Sequence, residues 1–407
     1  MYVSPDFGQT WKSIRANLPS GLVYVIKEDM RNPNLLFVGT EFGLFASLDG
    51  GATWTPWKSL QTVAVYDLLV HPRDNDLVLA THGRSIQVFD DISPLQQLSE
   101  GVLASNSHLF DIRPATQFIP NESGWFTGGR EYAAPNPEFG AYINYYLKAA
   151  AKEDVRIRIG DAAGNVVREL NGAKEAGLHR VAWDLRTTPA GPAALGFYFQ
   201  PDITNLGPFV LPDEYCVTLS VDGQEQSKSV RVLGDPFVQI SVGDRRTLYD
   251  TLLTLTSMQT TMESIRVTIG RLDEQLEQMT DALKQYPEAP PAVKTAVDEA
   301  TKQARDLRAR AIGGGDPAAG AEGGSGGAGG RRPLRGRING LKSYVILSQS
   351  LPTAGQERQV DQFAKDLDGL VTQVNTWITT TLPNLQKQLN DHNIRPSIGE
   401  PIKPVAR

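Results

Sequence analysis

The stretch Ser47-Leu-Asp-Gly-Gly-Ala-Thr-Trp54 follows the pattern S-x-D-x-G-x-T-W, and the pattern also occurs at Ser4-Pro-Asp-Phe-Gly-Gln-Thr-Trp11, 43 positions earlier. Each residue type suits a tight hairpin between two strands. An aspartate carboxylate accepts hydrogen bonds from the backbone N–H groups of a turn, and glycine adopts the positive φ angles that such turns need. The hydroxyl groups can cap further backbone groups, and the tryptophan can pack on a neighbouring sheet.

Both stretches resemble the Asp-box, or bacterial neuraminidase repeat, of the β-propellers in sialidases, sortilins and related secreted proteins. In that family the Asp-box is a fold element that lies away from the catalytic pocket. The resemblance therefore implies a structural role for both aspartates. The motif positions are Ser4, Asp6, Gly8, Thr10 and Trp11 in the first copy and Ser47, Asp49, Gly51, Thr53 and Trp54 in the second.

The segments around the motif repeat as well. Val23-Tyr24 recurs as Val65-Tyr66, and residues 34–40 recur as 76–81, at offsets of 41 to 42 positions. Repeats of this length built from short strands are typical of propeller blades. Residues 1–95 are predicted to hold the end of one blade, one whole blade and most of another. The strands of the whole blade are expected near 22–27, 34–40, 43–47 and 53–57.

This number of blades does not close a ring, because propellers close with roughly four to eight blades. An open arc leaves sheet faces and edges exposed to water. We therefore expect the missing blades to come from a longer parent chain, of which this is the C-terminal part, or from a second polypeptide.

Two hairpins on the side opposite the motif loops carry candidate binding or catalytic residues, at 40–43 and 81–85. A functional interpretation makes Arg84 a holder of anions or carboxylates and makes His82 or Glu41 a proton-transfer group. The alternative interpretation is that all three are ordinary polar loop residues. The sequence leaves the catalytic residues unknown.

Residues 96–140 are rich in Pro, Gly, Asn and aromatic residues, and predict an irregular connector strap packed along domain surfaces. Asn121-Glu122-Ser123 fits an N-glycosylation sequon. From 141 to 236, period-two alternation and frequent turns predict about seven short strands in an Ig-like β-sandwich. In the first of the clear strands, Val155, Ile157 and Ile159 alternate with two arginines.

The order of residues in this segment resembles the Ig-like module of flagellar hook-capping proteins, which occurs as a C-terminal accessory in secreted bacterial enzymes. The similarity is carried by Asp161-x-x-Gly164, Gly177-Leu-His179, Trp183-Asp184-Leu-Arg186 and Tyr215. His179 and Asp184 invite a catalytic interpretation, but no nucleophile motif accompanies them. We expect them to brace strands or turns.

Residues 237–407 predict an antiparallel helical bundle, because apolar residues recur there at three- and four-residue steps. Pro383 is expected to kink or restart the last helix. The Gly-rich run 313–330 predicts a disordered loop, and the basic stretch 331–337 is expected to dock on acidic groups of the bundle. The helices are expected near 243–285, 291–311, 337–350 (carrying Leu351 at its end) and 355–391 (with Ile378 in its apolar stripe).

Composition excludes several functions. A net charge of −6 argues against non-specific nucleic-acid binding. The single cysteine, Cys216, and five scattered histidines offer no zinc-site pattern. We therefore predict no metal and no cofactor, no nucleic-acid partner, and no membrane span, since no apolar run is long enough.

The whole arrangement resembles secreted bacterial proteins of the sortilin-like or "glycosyl hydrolase" type. The resemblance implies a non-catalytic extracellular or periplasmic binding scaffold whose propeller recognises a glycan or peptide. One alternative is a glycosidase of sialidase type, or a fragment of one. That chemistry needs an arginine cluster, a Tyr–Glu nucleophile pair and an acidic Asp, and Arg84 is the one pocket-side arginine that the sequence offers. Another alternative is a structural subunit of a cell-surface complex.

Overall fold

The structure is a computed structural model that describes residues 1–118, 136–191, 205–313, 332–348 and 350–395. The predicted sequon at 121–123 and nearly all of the predicted Gly-rich loop (residues 314–330) lie outside the described residues. The chain divides into two compact units. One comprises Met1–Leu185 and Pro212–Leu233, and the other comprises Arg186–Leu211 and Gly234–Arg407. The predicted domain limits at 95, 140 and 236 stay predictions.

Residues 1–89 form three successive antiparallel sheets: a two-stranded hairpin, a four-stranded sheet and a three-stranded sheet. The four strands predicted between residues 22 and 57 are confirmed as β3 to β6. The strands are β1 (Tyr2–Val3), β2 (Lys12–Ser13), β3 (Val23–Glu28), β4 (Leu36–Thr40), β5 (Gly43–Ser47), β6 (Thr55–Pro56), β7 (Val65–Val70), β8 (Leu77–Thr81) and β9 (Ile86–Phe89).

The sheets are stacked one on the next, because side chains alternate across each strand and both faces of β4 are apolar. Leu36 and Val38 on one face of β4 pack on the first segment of the chain, and Phe37 on the other face packs on the three-stranded sheet. The first core contains Ile14, Leu18, Leu36, Val38 and Trp54. The second core contains Leu35, Phe37, Leu44, Val65, Leu68, Val70, Leu77, Leu79 and Ile92.

The three-stranded sheet covers its neighbour with one face, and its other face is apolar and exposed. Leu69, Ile86 and Val88 on that face are 48%, 65% and 51% exposed. The register makes Ile86 the equivalent of Leu44 in the preceding sheet, and Leu44 is only 2% exposed because the three-stranded sheet covers it. We call Leu69, Ile86 and Val88 the open face.

The connector was predicted to be irregular, and its described part contains two short helices and two strands. The first strand, Ser107–Leu109, pairs with the strand Ala141–Leu147, and the second, Ala115–Thr116, pairs with the strand Gln224–Leu233. These hydrogen-bond partners lie far along the chain, so local sequence could not reveal them. The elements are α1 (Ser93–Gln97), α2 (Glu100–Ala104), β10 (Ser107–Leu109) and β11 (Ala115–Thr116).

Six further strands complete two sheets, in the orders β10-β12-β15 and β11-β17-β16-β13-β14. Trp183 and Tyr215 face each other between the sheets, with ring centroids 5.5 Å apart. The predicted alternation of Val155, Ile157 and Ile159 is confirmed, since all three are buried. The strands are β12 (Ala141–Leu147), β13 (Val155–Gly160), β14 (Val166–Gly172), β15 (Gly177–Trp183), β16 (Glu214–Val221) and β17 (Gln224–Leu233).

The described residues of the second unit form five α-helices that share one hydrophobic core. Arg308 of the second of these helices pairs with Asp273 of the first at 3.1 Å, so the two fold back on each other as a hairpin. The predicted helices near 243–285 and 291–311 are confirmed. The helices are α3 (Val242–Gln285), α4 (Pro291–Ala311), α5 (Leu334–Ser348), α6 (Ala354–Thr376) and α7 (Leu382–Asp391), with a π-helical segment, Trp377–Thr381, between the last two.

The predicted effect of Pro383 is confirmed: α6 ends before it and α7 restarts at Leu382. A proline lacks the N–H group that an α-helix needs at this position, and a π-helical turn accommodates the defect. Because that turn holds extra residues, it shifts the phase of the apolar stripe. Ile378, predicted to lie in the stripe, is 46% exposed, and Trp377 is buried instead.

The third predicted helix, 337–350, is shifted in the structure. α5 begins at Leu334 and ends at Ser348, and Leu351 lies outside it and is 46% exposed. Leu351 precedes a proline, which disfavours the helical conformation. The next residue, Thr353, caps α6, because its hydroxyl accepts from the N–H of Gln356 and the Gln356 side chain accepts from the N–H of Thr353.

A buried polar cluster interrupts the helical core. Lys342 of α5 is fully buried, and its Nζ donates to Oε1 of Gln259 on α3 at 2.5 Å. The Gln259 amide in turn donates to Oδ1 of Asn339 at 2.8 Å. The side-chain oxygens of Gln259 and Asn339 thus accept hydrogen bonds from buried N–H groups that can no longer donate to water.

The described chain is therefore a β-rich part followed by a helical part. A closed propeller is not present among the described residues. Of the helices described in either unit, none combines the length and the apolar character required to cross a lipid bilayer.

Candidate functional site

The second motif loop, Ser47–Trp54, is closed by hydrogen bonds to its aspartate. The Asp49 carboxylate accepts from the backbone N–H of Thr53 at 2.8 Å and from the Thr53 hydroxyl at 2.6 Å. The Ser47 hydroxyl donates to Asp49 at 2.7 Å and accepts from the N–H of Gly51 at 2.8 Å. Gly51 has φ +89°, which a residue with a Cβ adopts only under strain.

The first motif loop, Ser4–Trp11, has the same network. The Asp6 carboxylate accepts from the N–H of Thr10 at 2.8 Å, from its hydroxyl at 2.6 Å and from the Ser4 hydroxyl at 2.9 Å. The N–H of Gly8, also at φ +89°, donates to Ser4. Both carboxylates are thus occupied by their own loops, which is the geometry of a turn brace.

These hydrogen bonds set the acidity of the two aspartates. Hydrogen bonds from the Thr10 side chain and backbone hold the pKa of Asp6 below its ordinary value. At Asp49, burial raises the pKa, but the hydrogen bonds from Thr53 and Ser47 outweigh it and the net pKa is lowered. Both groups are therefore ionised acceptors at neutral pH rather than proton donors.

The two motif tryptophans differ. Trp54 is 2% exposed, and its indole N–H donates to the carbonyl of Ile14 at 2.8 Å. The Asn17 side chain accepts from the backbone N–H of Trp54 at 2.7 Å and donates to the Trp54 carbonyl at 2.8 Å. Trp11 was expected to bury its ring in the same way, but it is 64% exposed and its indole donates within its own loop to Gly8. The part of the chain that the structure describes supplies no segment that covers Trp11.

The three candidate residues lie in the β4–β5 and β8–β9 turns. Glu41 accepts from the backbone N–H of Leu22 at 3.0 Å, which braces the start of β3. The exposed ring of His82 lies 5.2 Å from the ring of Tyr66, in edge-to-face contact. Arg84 is exposed, and none of the described residues pairs with its guanidinium.

Tyr66 links these loops into one surface. Its ring also lies 4.5 Å from that of Tyr24, again edge to face, so Tyr24, Tyr66 and His82 form a continuous row. We call these three residues the aromatic row. Burial raises the pKa of Tyr24, with smaller contributions from Tyr66 and then from the nearby Glu41. Glu41 therefore lies within electrostatic reach of one end of the row.

Both tyrosines sit at β-bulges. The register of β3 with β4 shifts between Val23 and Val25, and that of β7 with β8 shifts between Val65 and Asp67. A bulge re-aims a side chain out of the sheet, and bulges are frequent beside functional sites. Tyr24 and Tyr66 are accordingly 38% and 45% exposed. The sequence contained the signal, a tyrosine repeated at one position of each unit, but not the bulge that exposes it.

The site offers stacking surfaces and hydrogen-bonding groups. The aromatic row presents apolar rings, and Glu41 and Arg84 provide acceptor and donor groups near it. Within the described ranges no group of three His, Cys, Asp or Glu side chains is placed to hold a metal ion.

The sandwich residues that invited a catalytic interpretation make bracing contacts. His179 Nε2 lies 2.6 Å from the carbonyl of Glu175, and its ring lies 5.1 Å from that of Tyr145. Asp184 lies 3.8 Å from the guanidinium of Arg168. The contacts of His179 brace β12, β15 and the turn before β15, and the contact of Asp184 reaches β14 in the other sheet.

No family model and no curated protein matches the chain. Among solved structures, it is similar to the extracellular domain of a one-component system from B. thetaiotaomicron, at 14% identity and a TM-score of 0.18, over 57% of this chain and 28% of that chain. The extracellular domain of a hybrid two-component system from the same organism gives 12% identity and a TM-score of 0.17, over 57% and 27%. Trypsin-activated alpha-2-macroglobulin from Escherichia coli gives 14% identity and a TM-score of 0.18, over 50% of this chain and 13% of that chain. The chain spans less than a third of each of these chains.

Proposed function

We propose that this chain is part of a non-catalytic, extracellular or periplasmic binding scaffold that holds a glycan on the aromatic row. The observation that carries the proposal is that Tyr24, Tyr66 and His82 form a continuous, exposed row on consecutive repeats. Exposed aromatic rings of this kind are costly in water unless something covers them.

A glycan suits this surface. The C–H faces of a sugar ring pack on aromatic rings, and its hydroxyls pair with carboxylate and guanidinium groups such as Glu41 and Arg84. A peptide ligand is the alternative.

The finer architecture is part of the same proposal. The stacked sheets of residues 1–89 are consecutive blades of an Asp-box β-propeller, and the two motif loops are its Asp-boxes. The two sheets formed by β10–β17 are an Ig-like sandwich of the hook-capping type, and the helices are an antiparallel bundle. The stacking of each repeat on the next supports the propeller, and the Trp183–Tyr215 contact between sheets supports the sandwich.

A glycosidase of sialidase type is less well supported. The candidate loops at 40–43 and 81–85 contain one arginine, Arg84, where that chemistry needs a cluster.

The test is binding to a printed array of neutral and sialylated oligosaccharides, followed by calorimetry on the best ligand. We expect Tyr66→Ala to weaken binding by about fivefold, because stacking on one aromatic ring contributes about 1 kcal/mol. Tyr286→Ala, which removes a similarly exposed tyrosine from the helical unit, should leave affinity unchanged. Binding that survives Tyr66→Ala would contradict the proposed site, and turnover of fluorogenic sialosides that Arg84→Ala abolishes would overturn the non-catalytic proposal.

The open face favours a second function, assembly as a structural subunit. Ile86 and Val88 correspond to Leu44 and Ala46 of the four-stranded sheet. The three-stranded sheet covers those two residues, but no described sheet covers Ile86 and Val88. We infer that a further sheet of the same repeat covers them, from the parent chain or from a second polypeptide. In the isolated chain a second copy would supply it, and such head-to-tail contacts do not close on themselves.

This assembly is testable by sedimentation velocity. The chain should associate more as its concentration rises, and Val88→Glu should return it to the monomer because a charge on the open face opposes burial. Leu178→Glu, at a 44% exposed leucine on β15, is the matched control and should not change association. A chain that is monomeric at every concentration would rule out self-assembly through this face.

A further inference from the structure

A groove of about 700 Å³ runs between α5 and α6. It is bounded by Gly336, Gly340 and Tyr344 on α5 and by Arg358, Gln359 and Phe363 on α6. We call it the α5–α6 groove. Its volume is that of a ligand site. It belongs to the helical unit, whereas the aromatic row belongs to the other unit.

The groove is lined by three arginines, and one of them is paired with a carboxylate. Arg332, Arg337 and Arg358 all border it, and none of the described residues that border it is an aspartate or a glutamate. Arg337 is held by Asp366 at 2.7 Å, yet its Nε is buried without a hydrogen-bond partner. In the described ranges, no carboxylate lies within salt-bridge distance of Arg332 or Arg358, and the positive end of the α6 dipole adds to their field.

The glycines of α5 shape the groove. A glycine inside a helix costs about 1 kcal/mol relative to alanine. A Cβ at Gly336 or Gly340 would meet nothing within 4 Å, so packing within the described chain does not require either glycine. Their absent side chains keep the groove open down to the helix backbone.

The lining groups suit a polypeptide. Gln359 has no hydrogen-bond partner in the described part of the chain, and amide side chains pair with both groups of a peptide backbone. Tyr344 is 73% exposed and is the apolar surface of the groove, since Phe363 is 5% exposed and lies beneath the Arg337 guanidinium. From Gly336 to Tyr344 the groove follows α5 for about 12 Å, which is longer than a single small anion can span.

We propose that the α5–α6 groove binds an acidic peptide segment of a partner protein. The carboxylates of the peptide pair with Arg332 and Arg358, its backbone meets Gln359, and its apolar side chains lie against Tyr344. The glycines let the peptide approach the helix backbone.

The test is fluorescence anisotropy with a labelled peptide of alternating glutamate and leucine, of about six residues, which at about 3.3 Å per residue covers the groove. We expect saturable binding, an affinity about tenfold weaker in Arg358→Gln because one charge-assisted contact is lost, and no binding in Gly340→Leu, which fills the groove. Arg246→Gln removes an exposed charge from α3 and should have no effect. Circular dichroism establishes that each variant is folded.

Three results would overturn the proposal. One is equal binding of the matched glutamine–leucine peptide, because charge would then play no part. Another is an Arg246→Gln effect as large as that of Arg358→Gln, or full competition by inorganic phosphate, because the site would then be a diffuse anion surface. The third is unchanged binding in Gly340→Leu. None of these results bears on glycan binding by the first unit.

Discussion

Trp54→Ala is expected to destabilise the sheets of residues 1–89 by about 3–5 kcal/mol, the range for removing a large aromatic ring from a core. The ring is 2% exposed and fills the core between the first segment and the four-stranded sheet. Its loss also leaves the carbonyl of Ile14 without the indole donor.

Hydrogen–deuterium exchange gives the local free energy of unfolding, which suits a chain of two units better than a single global transition. Amides of β4 and β5 should exchange at least about a hundredfold faster in the variant, because a loss of about 3 kcal/mol raises the population of the open state by that factor. Trp11→Ala is the matched control at the same motif position. Since Trp11 is 64% exposed, its removal should change stability by less than about 1 kcal/mol. Equal effects of the two substitutions would contradict the stacking described above.

Asp49→Ala is expected to cost about 2 kcal/mol locally. The carboxylate accepts from Thr53 twice and from Ser47, and hydrogen bonds to a charged group contribute about 1.5–3 kcal/mol before solvent screening reduces them. The same exchange measurement applies, now on the amides of β5 and β6, which the loop joins.

The cost should also depend on pH. The pKa of Asp49 is lowered on folding, so its ionised form is the one that stabilises the loop. That contribution is present above the unfolded pKa of about 4 and is lost as pH falls through the lower, folded pKa. The difference between the wild type and Asp49→Asn should therefore be constant near neutral pH and shrink below about pH 4. A difference that grows on acidification would show that the carboxylate is not the stabilising form.

The fold was predictable wherever a short stretch holds its own partners. Asp6 and Asp49 accept hydrogen bonds from residues two to four positions away, so the motif contains the whole turn. The apolar period of α3 and the prolines after it fixed both of its ends for the same reason. The proline at 383 predicted the break between α6 and α7.

Other features depend on partners that are distant in sequence. The strands β10 and β11 form because β12 and β17 offer them backbone groups from far along the chain. Lys342, which the sequence presents as a surface residue next to an apolar stripe, is buried because Gln259 of α3 lies opposite it.

The same distinction applies to the candidate site. Glu41, His82 and Arg84 were identifiable from their loops, but the tyrosines that connect two of those loops were not. Their exposure depends on bulges, which are set by pairing between strands.

By itself, the sequence determined the two aspartate-braced turns, the strands around them and most of the helices, because the energies that specify these elements act over a few residues. The tertiary structure alone decided which of two identical motif tryptophans is buried, which sheet face stays open and which aromatic rings meet. Those outcomes depend on surfaces brought together by folding, and no local pattern encodes which surface a given residue will face.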